Sequence, residues 1–315
     1  MHSTKDQILA LLETRRGSYI SGQAIAAQLN ISRNAVWKAI KTLQQEGHSI
    51  TAGTNKGYSL CEHSDALSAS AMQALAPQAT FRIYPSVEST NKTAKELALA
   101  GAEHGTVIVA NKQTAGRGRY DRGFCSPAGQ VYFSIVLHPQ ALWLNTPTLI
   151  TSFAAVAVCE AIEMLCNKRP QIKWVNDVFL GKKKICGILT EAVTDFESGQ
   201  IGWIVVGIGV NFTAEFPQAL QEIATSIFAG EAPVTTRNCL IAEIVNRMLV
   251  FRDETALLRE YKQRLMMLGR QVQVRGAGEP YTAIALDIDA AARLIVRTET
   301  GEVQVLSSGE VSIVT

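Results

Sequence analysis

The chain has 315 residues, of which 18% are charged and 47% hydrophobic, with a formal net charge of +2. That length accommodates two or three domains, and the composition describes an ordinary soluble protein. No uninterrupted stretch approaches the roughly 20 apolar residues of a membrane span, and no basic start followed by an apolar core marks a signal peptide. Six cysteines (Cys61, Cys125, Cys159, Cys166, Cys186, Cys239) include no Cys-x-x-Cys pair, and Cys61 with His63 has no second ligand pair at zinc spacing. The expectation is therefore free thiols in a reducing cytoplasm and no fixed protein metal site. Charge is uneven: residues 1–60 carry seven Lys/Arg against three Asp/Glu, an excess larger than that of the whole chain. A basic small segment joined to a mildly acidic larger one points to a nucleic-acid module appended to something else.

In chain order, Ile8, Leu9, Leu11 and Leu12 mark a first helix that ends near Gly17. Ser21 caps a second, opening at Gly22, with Ile25, Ala26 and Leu29 inward; Asn30-Ile31 turns the chain and Ser32 caps a third. Val36, Ile40 and Leu43 share one face of that third helix, leaving Arg33, Asn34, Lys38 and Lys41 outward. Ser49–Ala52, a turn through Lys56, and Tyr58–Leu60 read as a hairpin wing. Together these predict a winged helix-turn-helix offering Ser21, Gly22, Ser32, Arg33, Asn34, Lys38, Lys41 and Lys56 to DNA. A polar connection around Cys61–Asp65 makes a boundary, so the first domain is expected over residues 1–63.

Leu67–Leu75 reads as a short helix, Phe81–Tyr84 as a strand, and Lys92–Ala100 as a helix preceded by Ser89, Thr90 and Asn91, where hydroxyls cap and backbone N–H groups lie free. Thr106–Ala110 and Val131–Leu137 are strands by their β-branched and aromatic content. Thr148–Leu165 is a buried helix carrying Cys159. Ile172–Trp174 is a strand, Asn176-Asp177 a turn, and Val178–Leu180 with Ile185–Thr190 a hairpin whose tip lysines Lys182 and Lys183 are solvated, while Lys184 enters the strand. Trp203–Val210 is an apolar strand broken by Gly207 and Gly209, which calls for a bulge or a close approach. Arg237–Arg252 and Thr255–Leu268 follow as helices. From Arg270 onward short strands at regular spacing suggest a small β-barrel. Domains are thus expected over 64–268 and 269–315.

The loop between the strands at Ala110 and Val131 holds the densest chemistry. Lys112-Gln113-Thr114-Ala115-Gly116-Arg117-Gly118-Arg119-Tyr120-Asp121-Arg122-Gly123-Phe124-Cys125-Ser126-Pro127 interleaves three arginines with small residues. Glycine lets the backbone approach a ligand, and each guanidinium offers a planar donor fork to carboxylate or phosphate. Such a loop is built to hold an anion.

This loop resembles the signature loop of biotin–protein ligases. Lys173-Trp174-Val175-Asn176-Asp177 with Lys184-Ile185-Cys186-Gly187-Ile188-Leu189, Gly207-Ile208-Gly209-Val210-Asn211, and Ser89-Thr90-Asn91 are similar to three further motifs of that family, in family order over about half the chain. The resemblance implies an α+β chain with three parts: an N-terminal winged helix-turn-helix, a central class-II-synthetase-like mixed α/β ligase domain, and a C-terminal SH3-like β-barrel. It implies a biotin–[acetyl-CoA-carboxylase] ligase that joins biotin to ATP, with Mg²⁺, as biotinyl-5′-AMP. Transfer to a lysine of a biotin carboxyl carrier protein follows. By motif match, Ser89, Thr90, Asn91, Gln113, Gly116, Arg117, Gly118, Arg119, Lys184, Gly187 and Gly207 hold biotin, while Arg119, Arg122, Phe124, Asn176, Gly209 and Asn211 contact the nucleotide. Arg117, Arg119 and Lys184 neutralise the reacting anions, and Asp177 steers or deprotonates the incoming lysine. No enzyme nucleophile is required, so catalysis reduces to positioning and electrostatics.

Family members with this N-terminal domain are also repressors, in which biotinyl-AMP promotes a homodimer that reads operator DNA. The sequence departs from the family pattern at Asp121 (usually Gly), Phe124 (usually Trp) and Val175 (usually Pro), which bears on ATP affinity and loop ordering. The rival from another class is a non-catalytic biotin-sensing transcription factor; a lipoate–protein ligase shares the core fold, but the Gly-Arg-Gly-Arg loop favours biotin. Intact Lys184, Arg117, Arg119 and Asp177 favour the enzyme.

Overall fold

The computed structural model describes residues 3–142, 146–194, 201–250, 253–276 and 279–314; the side chain of Asp121 and the expected helix end at Arg252 fall outside the described residues. The first part contains α1 (Thr4–Glu13), α2 (Gly22–Leu29), α3 (Arg33–Gln45), β1 (Ile50–Gly53) and β2 (Gly57–Leu60). A serine opens each helix. Ser3 shares a reciprocal capping box with Asp6, while Ser21 and Ser32 accept from the amides of Ala24 and Ala35 at 3.0 and 3.1 Å. Each cap contributes about 1 kcal/mol by satisfying an otherwise orphan donor. Asn30, left-handed at φ 52°, stops α2 and turns the chain into α3. Ile8, Leu12, Ile25, Val36, Ile40 and Leu43 then close one apolar cluster. The wing pairs Ile50 with Leu60 and is tied to the helices by a bridge between Ile20 and Tyr58.

The central part runs α4 (Ala69–Leu75), β3 (Thr80–Tyr84), α5 (Thr90–Leu99), β4 (Thr106–Ala110), β5 (Val131–Leu137), α6 (Pro147–Cys166), β6 (Gln171–Lys173), β7 (Asp177–Leu180), β8 (Lys183–Thr194), β9 (Ile201–Val210), α7 (Gln218–Gln221), α8 (Arg237–Val250) and α9 (Glu254–Arg264). Its seven strands lie in the order β3-β4-β5-β9-β8-β7-β6, parallel only between β3 and β4. Helices α4, α6, α8 and α9 pack into one large cluster with one face of the sheet, and α5 covers part of the other through Ala94 and Ala98 against Ile108, Val136 and Val205. Two expectations need correcting. Helix α6 does contain a 19-residue apolar run, Thr148–Cys166, long enough to cross a membrane; it is instead the core helix, mostly buried among its neighbours. The turn after β6 spans residues 174–176, so Asp177 opens β7 rather than sitting in the turn with Asn176.

The last part holds β10 (Gln271–Arg275), β11 (Tyr281–Ile288), β12 (Leu294–Thr298), β13 (Val303–Leu306) and β14 (Glu310–Ile313). They form the expected small antiparallel β-domain in the order β13-β12-β11-β10-β14, with the first strand between the second and the last. A register shift between Ala285 and Asp287 supplies the bend. This sheet shares its apolar cluster with the central part, and Trp174 Nε1 donates to the Ala292 carbonyl at 3.0 Å.

The connection from the wing is clamped by Arg237 at the start of α8. Its guanidinium, in a residue only 7% exposed, donates to Asp65 Oδ2 (2.6 Å), the Asp65 carbonyl (2.7 Å) and Asn111 Oδ1 (2.8 Å). Arg237→Ala is expected to lower the unfolding free energy by roughly 2–3 kcal/mol, less than a fully buried pair would lose because Asp65 is 35% exposed. Urea unfolding of the variant measures it; a change under about 1 kcal/mol would remove the clamp from the stability argument.

Candidate active site

The site lies on the same face of the sheet as α5, over the part that helix leaves uncovered. Gly187 of β8 pairs with Gly209 of β9, and Leu189 with Gly207, while on the other side β5 places Tyr132 beside Gly209 and Ser134 beside Gly207. Side chains alternate across a strand, so this register aligns three glycines on one face as a low floor. A cavity of about 300 Å³ stands over it, walled by the start of α5, the arginine loop, the β7–β8 hairpin and the first residues of β14.

What approaches the glycines is protein. A Cβ on Gly209 would stand 2.6 Å from the Phe124 ring and one on Gly187 3.1 Å from it, while a Cβ on Gly207 would collide with Asn91. All three glycines also line the cavity, so Phe124 and Asn91 share the floor with the space above it. Phe124 meets Tyr132 edge-on, with centroids 6.4 Å apart, and lies under Lys184 Nζ at 6.0 Å.

One end of the cavity is a directional chain of polar groups. Ser89 occupies the N-cap position of α5 yet makes no side-chain cap, so its buried hydroxyl is not used for capping. The Thr90 amide and hydroxyl both donate to Gln113 Oε1, at 2.8 and 3.1 Å. Gln113 Nε2 donates to Ser126 Oγ at 3.0 Å, which donates to the Phe124 carbonyl at 2.8 Å. Gly116 is buried at the base of this chain: a Cβ there would stand 2.5 Å from Ser126 Oγ, so its role is to let the loop close. On the sheet side the Ser134 hydroxyl lies 2.8 Å from Thr90 Oγ1 and 2.6 Å from Asn91 Oδ1.

The other end is cationic. Lys184 Nζ stands 2.7 Å from Asp177 Oδ1, an ion pair without hydrogen-bond alignment, partly exposed on both sides. A register shift between Val178 and Phe179 in the hairpin brings the two together. Arg119 donates to Asn176 Oδ1 (3.2 Å), the Tyr120 hydroxyl (3.1 Å) and the Gly309 carbonyl (3.1 Å). Asn176 in turn donates to the Ile188 carbonyl at 2.8 Å. Arg122 forms a two-point pair with Glu310 at 2.9 and 2.6 Å, and that guanidinium holds the Glu310 carboxyl below its usual range. Arg117 and Gly118 line the cavity, with Arg117 exposed. Asn211 does not line it: buried, it donates to the carbonyls of Lys184 (3.3 Å) and Thr225 (3.0 Å), so it acts on the site only by holding the strand that carries Lys184.

Several participants escaped the sequence reading. Ser134 carried a signal, a lone hydroxyl inside the apolar run Val131–Leu137. Glu191, Lys95, Gly309 and Glu310 carried none, since only folding brings Gly309 and Glu310 to the cavity and Glu191 with Lys95 behind Asn91. On the separate face offered by α3, Arg33, Asn34, Lys38 and Lys41 are exposed as expected, and Trp37, passed over in the sequence, stands half exposed among them. Lys56 at the wing lies 5.8 Å over the Tyr19 ring.

Comparison with known proteins agrees with this geometry. Residues 83–211 match the model of the Biotin/lipoate A/B protein ligase family, residues 4–59 an HTH domain, and residues 267–314 the Biotin protein ligase C terminal domain. The bifunctional ligase/repressor BirA of Bacillus subtilis is 35% identical over 323 aligned positions, covering 98% of both chains. The biotin–[acetyl-CoA-carboxylase] ligase of Mycobacterium tuberculosis is 30% identical over 71% of this chain and 85% of its own. Among solved structures, the biotin protein ligase of Aquifex aeolicus in complex with biotin and ATP has a TM-score of 0.63 at 27% identity, spanning 74% of this chain and 97% of that one. Fold and site thus define a ligase with an attached helix-turn-helix domain. The chain belongs to the family of bifunctional biotin–protein ligase/repressors.

Proposed function

We propose that the chain activates biotin with ATP, taken as its Mg²⁺ complex, and passes the biotinyl group to one lysine of a biotin carboxyl carrier protein. The observation that carries this is the pairing of two unlike ends in one cavity: a fixed hydrogen-bonding end at Thr90, Asn91 and Ser134, and a cationic end at Lys184, Arg117 and Arg119. A bicyclic urea with a carboxylate tail suits such a cavity. In the first step a carboxylate oxygen bonds to the α-phosphorus and pyrophosphate leaves. Two anions must meet, and fixed cations are the means of bringing them together. Lys184 is already beside Asp177, so an arriving phosphate competes for its charge. In the second step the carrier amine attacks the acyl carbon, AMP leaves, and Asp177 takes the amine proton. For Arg122 to reach a nucleotide its pair with Glu310 has to open, which makes the C-terminal sheet part of the closure. Residues 1–63, 64–268 and 269–315 serve as DNA-binding, catalytic and capping domains. Incubation with labelled biotin, MgATP and a carrier domain tests the reading; no label on the carrier lysine would sink it.

The same ligand is proposed to order the arginine loop, promote a homodimer and so bring two winged domains onto an operator. Binding to duplex DNA should fall steeply with salt through counterion release. Arg33→Ala or Lys38→Ala should reduce the slope of log affinity against log salt by about one and leave biotin transfer intact. Filter binding across a salt series checks this, and an unchanged slope would take that side chain off the phosphates.

A further inference from the structure

Beyond the cavity wall, one carboxylate decides what the polar end offers. Glu191, on β8, faces the same side as Gly187 and Leu189, and accepts from Asn91 Nδ2 at 2.7 Å through Oε2. Its other oxygen accepts from Lys95 Nζ of α5 at 2.7 Å. Asn91 Nδ2 has a second partner, the Leu189 carbonyl at 3.1 Å. A carboxylate and a carbonyl can only accept, so the nitrogen of the Asn91 amide has to face them. The amide oxygen is thereby turned the opposite way, over Gly207, which lines the cavity as Asn91 does, and 2.6 Å from the buried Ser134 hydroxyl. Burial works against charge on Glu191, but the hydrogen bonds from Lys95 and Asn91 outweigh it and hold the carboxyl below its usual value.

We infer that Glu191 is a positioning residue for substrate choice: by fixing the Asn91 amide it makes the polar end an acceptor, which selects an acid bearing an N–H donor over one bearing none. This deepens, and rests on, the reading of the cavity as a biotin site. The family model that matches residues 83–211 spans biotin and lipoate ligases. Biotin carries ureido N–H groups, whereas the dithiolane of lipoate carries no donor at all. A site that fixes an acceptor toward a donor disfavours an analogue lacking it by roughly 10- to 100-fold in kcat/KM, the loss of one hydrogen bond, because Ser134 still partners the acceptor. Lys95 holds the far side of the carboxylate and keeps Glu191 turned toward Asn91.

The test is ATP–pyrophosphate exchange by the full chain with biotin, desthiobiotin (ureido group kept, sulfur absent) or lipoate as the acid, for the wild type, Glu191→Ala, Asn91→Asp, and Asn91→Asp combined with Glu191→Gln. Glu191→Ala should raise the biotin and desthiobiotin KM by roughly 10- to 100-fold, the cost of an amide free to turn its donor inward, with kcat within a few-fold. Its preference for biotin over lipoate should narrow by a similar factor. Asn91→Asp alone sets two carboxylates together and should be worse. Adding Glu191→Gln supplies an amide donor to the introduced carboxylate and keeps an acceptor toward Ser134, and should recover part of the lost biotin KM, the repulsion from the Leu189 carbonyl remaining. Thermal midpoints separate this from damage to the α5–β8 contact, which would lower stability without moving the acid preference. If Glu191→Ala does not fold, the charge-exchanged pair decides alone. An unmoved biotin KM in folded Glu191→Ala, or no recovery in the pair, overturns the inference while leaving the ligase reading intact. A wild type inactive with biotin overturns both.

Discussion

Lys184→Ala should cost roughly 10²–10³ in the rate of adenylate formation, the size of effect seen when one preorganised charge-stabilising donor is removed from a reacting centre. The expectation rests on where the side chain is held. Two neighbouring lysines, Lys182 and Lys183, sit toward the hairpin tip, but only Lys184 reaches into the cavity to pair with Asp177 at 2.7 Å. Its strand is pinned from behind, since the Lys184 amide donates to the Ile223 carbonyl at 2.9 Å and Asn211 donates to its carbonyl. Truncation therefore removes a charge without releasing the backbone. It also leaves Asp177 with no cation at contact distance among the described residues, so the second step should suffer as well. Pyrophosphate release at saturating biotin and ATP measures the first step, and transfer from pre-formed adenylate the second. Turnover within about tenfold of wild type would return Lys184 to the solvated hairpin tip with its neighbours.

Arg119→Gly should slow synthesis without abolishing it, since Lys184 and Arg117 remain, and make the adenylate escape. A mixed anhydride acylates stray amines or hydrolyses once it is free, so the site has to retain it until the carrier arrives. Arg119 is the arginine of the loop that joins three walls: the β6–β7 turn through Asn176, its own loop through Tyr120, and the C-terminal sheet through Gly309. Removing it cuts the cavity wall loose on two sides and adds backbone freedom. Bystander lysines should then be labelled roughly tenfold or more above wild type, a release about 1.4 kcal/mol easier. The assay is labelled biotin appearing on albumin in the presence of MgATP. Continued synthesis with no rise in stray labelling would move retention to the pair of Arg122 with Glu310, where Glu310→Ala becomes the variant to make.

These two residues also divide what was legible in the sequence from what was not. Lys184 could be singled out because a lysine that enters a strand, next to others that stay at a turn, is a local pattern. The winged helix-turn-helix was legible for the same reason: Ser21, Asn30 and Ser32 act within a few residues of themselves, and Val36, Ile40 and Leu43 repeat at the helical period. The arginine loop, the serine and threonine before α5, and the glycines of β9 declared themselves by composition that a plain strand or helix would not keep.

What the sequence by itself determined, then, were the elements, the arginine-rich loop, and, through four motifs in order, the family. Only the tertiary structure decided what each motif touches. It turned Arg119 and Arg122 toward Gly309 and Glu310, in the last strand region of the chain, and set Phe124 and Asn91 on the glycine floor. It set Asn211 behind the strand that carries Lys184 and Glu191 behind Asn91. The physical reason is range. Caps, turns and periodicity are fixed by neighbours along the chain, whereas hydrogen-bond partners across a sheet are chosen by strand order and register. Order and register exist only in the folded sheet, with α4, α6, α8 and α9 on one face and α5 beside the cavity on the other.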